Sequence, residues 1–221
     1  MSDLNWTPPP FPPRKVLEGR YCRLEPLDSA RHGGEIAAAF AGAHDVWTYL
    51  PTEEPSDQAA YQALLASMEA RTDIVPFAVI DRADNKAKGH LWLMEIRPVH
   101  GVFEVGFITY APELQRTRPA TEAIYLCGDF GFSLGYRRYE WKCNDRNEPS
   151  KRAALRYGFK YEGLFRQHQV VKGQNRDTAW YSIIDSEWPA RKAAFERWLS
   201  PENFDRDGRQ KQSLAALKAA T

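Results

Sequence analysis

Read by the spacing of its apolar positions, the chain changes period several times. A short alternating stretch over residues 21–25, closed by Pro26, predicts a strand, with residues 15–17 and a turn at Glu18-Gly19 ahead of it. An alanine-rich stretch over 29–41 predicts a helix. Ser56 or Asp57 can cap the next helix, in which Ala60, Leu64, Leu65 and Met68 recur on one face through to about Arg71. Strand-like stretches follow at 76–80, 88–96 and 103–110. Asp84-Asn85 and His100-Gly101 are turn formers between them, so an antiparallel meander is expected. Over 120–134 the apolar positions Ala120, Ala123, Ile124, Cys127, Phe130 and Leu134 take helical spacing, and Gly135 ends the run. Residues 139–143 read as a strand, 150–156 as a short helix stopped near Gly158, and 159–171 and 178–184 as a hairpin about a turn at 172–175. The order β, α, α, β, β, β, α, β, α, β, β describes a mixed α/β domain.

That pattern sets the expected boundaries. Residues 1–14 carry Pro8-Pro9-Pro10-Phe11-Pro12-Pro13, which cannot donate the backbone bonds of helix or sheet, and read as an extended arm for packing or for a homodimer. Residues 15–188 form one domain. Residues 189–221 form a helical extension or tail, with Ala193, Phe195 and Trp198 at helical spacing and a charged, alanine-rich end that either docks as a helix or frays.

Composition narrows the classes. The chain is 43% hydrophobic and 13% aromatic, with seven Trp, which favours a sheet-rich core or a deep pocket. Its net charge of +1 gives no global field toward nucleic acid or an anionic membrane, so any bound anion must be held locally. Cys22, Cys127 and Cys143 are odd in number and far apart, which fits neither a disulfide framework nor a metal knuckle. With no leader-like start and no long apolar run, the expectation is a cytoplasmic protein without a metal, a membrane or a nucleic-acid partner. No H-E-x-x-H, P-loop or G-x-S-x-G pattern occurs.

Two loops that open helices carry the candidate chemistry. The first is Gln115-Arg116-Thr117-Arg118-Pro119-Ala120-Thr121. A helix start leaves backbone N–H groups unpaired and partly positive, so it can hold a phosphate, and Arg116 and Arg118 add formal charge. Pro119 suits the first turn, where its missing N–H costs little. This stretch resembles the acetyl-CoA pyrophosphate loop of the GNAT superfamily of N-acetyltransferases. Gln115 and Ala120 match that loop's first and last positions, and Arg118 stands where it usually has Gly. The second loop, Asn147-Glu148-Pro149-Ser150, with Gly158-Phe159 and Glu162-Gly163 beyond it, is similar to the ribosomal-protein N-terminal acetyltransferase branch typified by RimJ and RimL.

The resemblance implies a GNAT fold: a mixed, strongly twisted, mostly antiparallel sheet flanked by helices, with splayed central strands holding acyl-CoA. It implies an acetyl-CoA-dependent N-acetyltransferase acting on a primary amine, either a protein N-terminus or a small molecule. Another donor such as succinyl-CoA, or a non-catalytic CoA-binding role, is the alternative. It further implies that Phe107, Ile108 and Thr109 offer N–H groups to the acyl carbonyl, that Asn147 contacts the pantetheine arm, and that Ser150 lies near the thioester as the acid. From the residues alone, Ser150 reads equally as a helix cap. The family's frequent Tyr and Glu positions hold Ala154 and Gln169 here. The base is therefore sought at His168, whose ordinary pKa suits amine deprotonation but which needs a bulge to face the right way, or at Glu104 or Glu140.

Overall fold

The computed structural model describes residues 4–219. Eight strands form one sheet: β1 (Leu17–Glu18), β2 (Cys22–Pro26), β3 (Val75–Asp81), β4 (Lys86–Arg97), β5 (Val102–Tyr110), β6 (Arg138–Asn144), β7 (Lys160–Val171) and β8 (Gln174–Ile184). Their spatial order is β1-β2-β3-β4-β5-β6-β8-β7. Every neighbouring pair is antiparallel except β5 and β6, which are parallel and pair only from Val102↔Arg138 to Glu104↔Glu140. Past Glu104 the two strands part, and the sheet opens into a wedge.

Helices cover both faces. On one face α1 (Ser29–Ala39) and α2 (Gln58–Glu69) pack Ile36, Leu65 and Met68 against Ala78, Ile80 and Trp92. On the other, α3 (Arg118–Ser133), α4 (Glu148–Tyr157), α5 (Trp188–Leu199) and α6 (Leu214–Ala219) join the larger core around Phe103, Tyr139 and Phe195. The charged end of the chain docks through Leu214 and Leu217, both buried in that core.

Local signals explain the element ends. Asp28, Asp57, Thr117 and Asn147 cap α1 to α4 through their side-chain oxygens. Lys172 and Gly173, with φ of 50° and 70°, make the two-residue turn whose twist suits a hairpin. Gly131 lets α3 lie against β5, since a Cβ there would stand 2.1 Å from the Phe103 ring.

The proline-rich arm packs on its own domain. Pro9 and Pro12 are buried, the Tyr136 hydroxyl donates to the Pro10 carbonyl at 3.2 Å, and Arg14 Nη1 donates to the Glu69 carbonyl at 2.8 Å.

Candidate active site

The wedge between β5 and β6 continues into a cleft of about 1570 Å³. Its lining holds seven arginines and one lysine against only Asp45, Asp81 and Glu104, so a nearly neutral chain concentrates positive charge in one groove. Two of these arginines, Arg152 and Arg156, stand four residues apart on α4. That spacing was present in the sequence, but it lay outside the two loops singled out there.

At the mouth, residues 114–118 turn into α3. Gln115 Nε2 donates to the Tyr110 carbonyl at 3.0 Å, and the Thr117 hydroxyl donates to the Leu114 carbonyl at 2.6 Å and accepts from the Ala120 N–H at 3.3 Å. Arg116 holds φ +63°, a left-handed conformation that a side chain disfavours and that functional turns often keep. The turn leaves the N–H groups of Arg116, Thr117 and Arg118 without a hydrogen-bond partner among the described residues. These amides, a helix start and an exposed Arg116 suit a pyrophosphate. Arg118 occupies the first position of α3 with its guanidinium 4.5 Å from the Phe204 ring and 5.0 Å from the Tyr21 ring, so its bulk is turned aside. Pro119 and Ala120 also line the cleft. Thr121 does not: its hydroxyl is buried, donating to the Thr117 carbonyl and accepting from Arg156 Nη1.

Deeper in, β5 is bulged. His90 pairs with Thr109 and Trp92 with Gly106, so Phe107 and Ile108 together oppose Leu91. Phe107 takes φ +48°, and its ring stacks on Trp92 at 4.1 Å and 3°. The bulge interrupts the ladder at the point where Phe107 and Ile108 border the cleft, and amides so released can face a carbonyl oxygen. Thr109 does not border the cleft. It is fully buried beyond the bulge with its hydroxyl on the Phe107 carbonyl.

Ser150 is not the cap of α4. Asn147 is, accepting the Ser150 N–H at 3.1 Å. The Ser150 hydroxyl accepts the Trp141 indole N–H at 3.0 Å. With a lone pair committed to the indole, the hydroxyl proton is the part left to give to a ligand.

On the opposite sheet face, Glu104 is 5% exposed and lies 2.7 Å from Lys142 Nζ, in an ion pair whose geometry falls short of a hydrogen bond. Burial pushes its carboxyl up to about 7, Lys142 works against that, and Glu140 adds to the rise. Glu140 is occupied by Arg97, Arg138 and Lys142 and does not line the cleft.

His168 lies elsewhere. The register of β7 does shift between Phe165 and Gln169, the bulge that a catalytic histidine there required. The shift nevertheless sets His168 Nδ1 3.0 Å from the Thr178 hydroxyl and its ring 6.0 Å from Trp180, away from the cleft lining. Gln169, opposite Arg176, is outside the lining as well. Two features that no local pattern announced do border the cleft: Arg176 on β8, and a strap over residues 44–53 that includes a short 3-10 turn (His44–Trp47).

Comparison with known proteins agrees with this geometry. Residues 22–160 match the acetyltransferase (GNAT) domain family. The crystal structure of a GCN5-related N-acetyltransferase from Brucella melitensis is 50% identical, with a TM-score of 0.95 over 97% of this chain and 99% of that one. Two uncharacterized N-acetyltransferases of Bacillus subtilis are also similar. YoaA is 35% identical over 48% of this chain and 60% of its own length; YnaD is 27% identical over 51% and 65%. The chain thus spans less than two thirds of either curated relative. The parted β5 and β6, the helix-opening turn beneath them and the match over residues 22–160 together make this chain a member of the GNAT family of N-acetyltransferases.

Proposed function

We propose that the protein acetylates a primary amine directly from acetyl-CoA in a ternary complex, with no covalent enzyme intermediate. The observation that carries this reading is the parting of β5 and β6 beyond Glu104↔Glu140, with Ser150 on one sheet face and Glu104 on the other, both bordering the cleft. The free amides of residues 116–118, with Arg116 beside them, receive the pyrophosphate. Asn147 lies along the pantetheine, and the amides of Phe107 and Ile108 receive the thioester oxygen. Glu104, through water, takes a proton from the substrate ammonium. The amine nitrogen then bonds to the carbonyl carbon, and the carbon–sulfur bond breaks. The leaving thiolate takes a proton from Ser150, which is reprotonated by the one shed as the amide forms.

The Asn147-Glu148-Pro149-Ser150 helix start and the Gly158-Phe159 and Glu162-Gly163 exit support kinship with the RimJ and RimL branch, and with it a protein N-terminus as one acceptor class. A cytoplasmic location and a homodimer belong to the same proposal. The open edge of β7 supports the second, since Leu164, Phe165 and Val170 are exposed there.

Thermal denaturation with acyl-CoAs, followed by thiol release on amine and peptide panels, tests the reading. Acetyl-CoA at about a hundred times its Kd should raise Tm by about 5–10 °C. No shift, or no thiol released with any amine, would overturn it.

A further inference from the structure

Arg176 is a cleft residue whose chemistry the transfer reaction leaves unused. It stands on β8 beyond the Asn144↔Thr178 pair, half-buried, and its Nε is shut off from solvent with no hydrogen-bond partner among the described residues. The acids around it are committed elsewhere. Glu104 pairs with Lys142. Asp177 accepts from the Gln167 N–H and from Asn175. A buried guanidinium N–H left unpaired is costly, and the guanidinium's fork of donors matches a carboxylate. Burial lowers its pKa, while its neighbours Glu104 and Cys143 act against that. Those neighbours place it at the acyl-transfer end of the cleft, away from the arginines at the 114–118 turn.

The strap closes this end. The Tyr49 hydroxyl donates to the Arg146 carbonyl at 3.0 Å, and Lys172 Nζ donates to the Trp47 carbonyl at 2.8 Å, so residues 47–49 bridge to the opposite wall. Tyr49 and Leu50 border the cleft beneath that bridge. The space beside Arg176 therefore suits a compact acceptor.

We infer that Arg176 binds a carboxylate on the acceptor, so that the amine acetylated here is an amino acid or a small relative carrying its carboxylate close to the amine. This rests on the acetyl transfer proposed above. The carboxylate orients the acceptor and takes no part in the bonds made and broken.

Matched acceptors test it on the intact protein: free amino acids, their C-terminal amides and the corresponding decarboxylated amines, each with acetyl-CoA and with succinyl-CoA. The acids should exceed their amides by about 10- to 100-fold in kcat/KM, mostly through the KM for the amine. Arg176→Ala should bring that ratio toward one, and Arg176→Lys should restore part of it. Stabilisation by acetyl-CoA reports whether each variant is folded, and the acid-to-amide ratio of the unmodified protein decides the matter if neither is. Better turnover of amides or peptides, or a ratio unchanged in Arg176→Ala, would overturn the inference and leave acetyl transfer standing. Preference for succinyl-CoA with uncharged amines would overturn it too, by moving the carboxylate to the donor. Absence of thiol release with every amine would overturn both readings.

Discussion

Ser150 and Asn147 stand three positions apart at the start of α4, and substitution separates their roles. Asn147 holds the cap, so Asn147→Ala should cost about 1 kcal/mol of stability, read as a lower Tm without ligand. Ser150 holds none. Ser150→Ala should therefore lower Tm only by what the unpaired Trp141 indole costs, about 1 kcal/mol, while lowering kcat by about a hundredfold, with little effect on the KM for acetyl-CoA. A fall in Tm with kcat preserved would show that the hydroxyl only props the Trp141 indole. Glu104 is tested by pH. Its carboxyl titrates near 7 because it is buried, and only the ionised form can take a proton from the ammonium. Below about 7, kcat/KM for the amine should rise about tenfold per pH unit and then level, apart from the amine's own titration. Glu104→Gln should be slow at every pH and lack that limb. If the limb persists in Glu104→Gln, the base is another group.

Among the elements, α3 is joined to the start of β2 by a single acid. Glu122 is buried and accepts three backbone N–H groups, from Arg20 at 2.8 Å, Tyr21 at 2.6 Å and Cys22 at 2.7 Å, which ties the helix that opens at the 114–118 turn to the start of β2. Glu122→Ala would strand these donors, at a cost of about 3 kcal/mol and a fall in Tm of about 6–12 °C. Gly19→Ala should approach the same loss, because its Cβ would lie 2.5 Å from the Glu122 carboxylate. Neither contact can be read from spacing, since about a hundred residues separate the partners. What could be read was local. The Asp57 cap, the Gly135 and Gly158 stops, the meander and the 114–120 turn all follow from chemistry within a few residues, and they lie close to where the sequence predicts them. Facing and register decide which of the predicted site residues border the cleft. Thr109 and Thr121 follow neighbours that line the cleft, but a bulge and a helical turn point them into the core. An irregular register, which strand alternation does not encode, sets the position of His168. Arg176 entered no motif. It reaches the cleft because β8 inserts between β6 and β7, a pairing that alternation of apolar residues does not encode.

For the molecule as a whole, the contrast between a net charge of +1 and seven arginines in one cleft is itself a prediction about binding. A uniformly basic protein would attract any polyanion from a distance. Here the positive groups act only at close range, and several are already engaged. Arg82 pairs with Glu18, Arg156 meets Thr121, and Arg118 lies against Tyr21 and Phe204. Arg116 is exposed, has no ion-pair partner among the described residues and stands beside the free amides of the turn, so it should give binding energy at little structural cost. Arg116→Ala should thus raise the KM for acetyl-CoA several-fold at unchanged Tm, whereas Arg118→Ala should lower Tm as well, by releasing the ring contacts between the β2 side and the Phe204 segment. Screening separates charge from shape. The Debye length falls from about 10 Å at 0.1 M salt to about 3 Å at 1 M, so the KM for acetyl-CoA should climb over that range and climb less in Arg116→Ala. An acetyl-pantetheine thioester, which reaches the β5 bulge but lacks the phosphates, should be used weakly and with little salt dependence in either protein. Equal salt dependence for the two thioesters would mean that the arginines at the cleft mouth do not hold the nucleotide end of the donor.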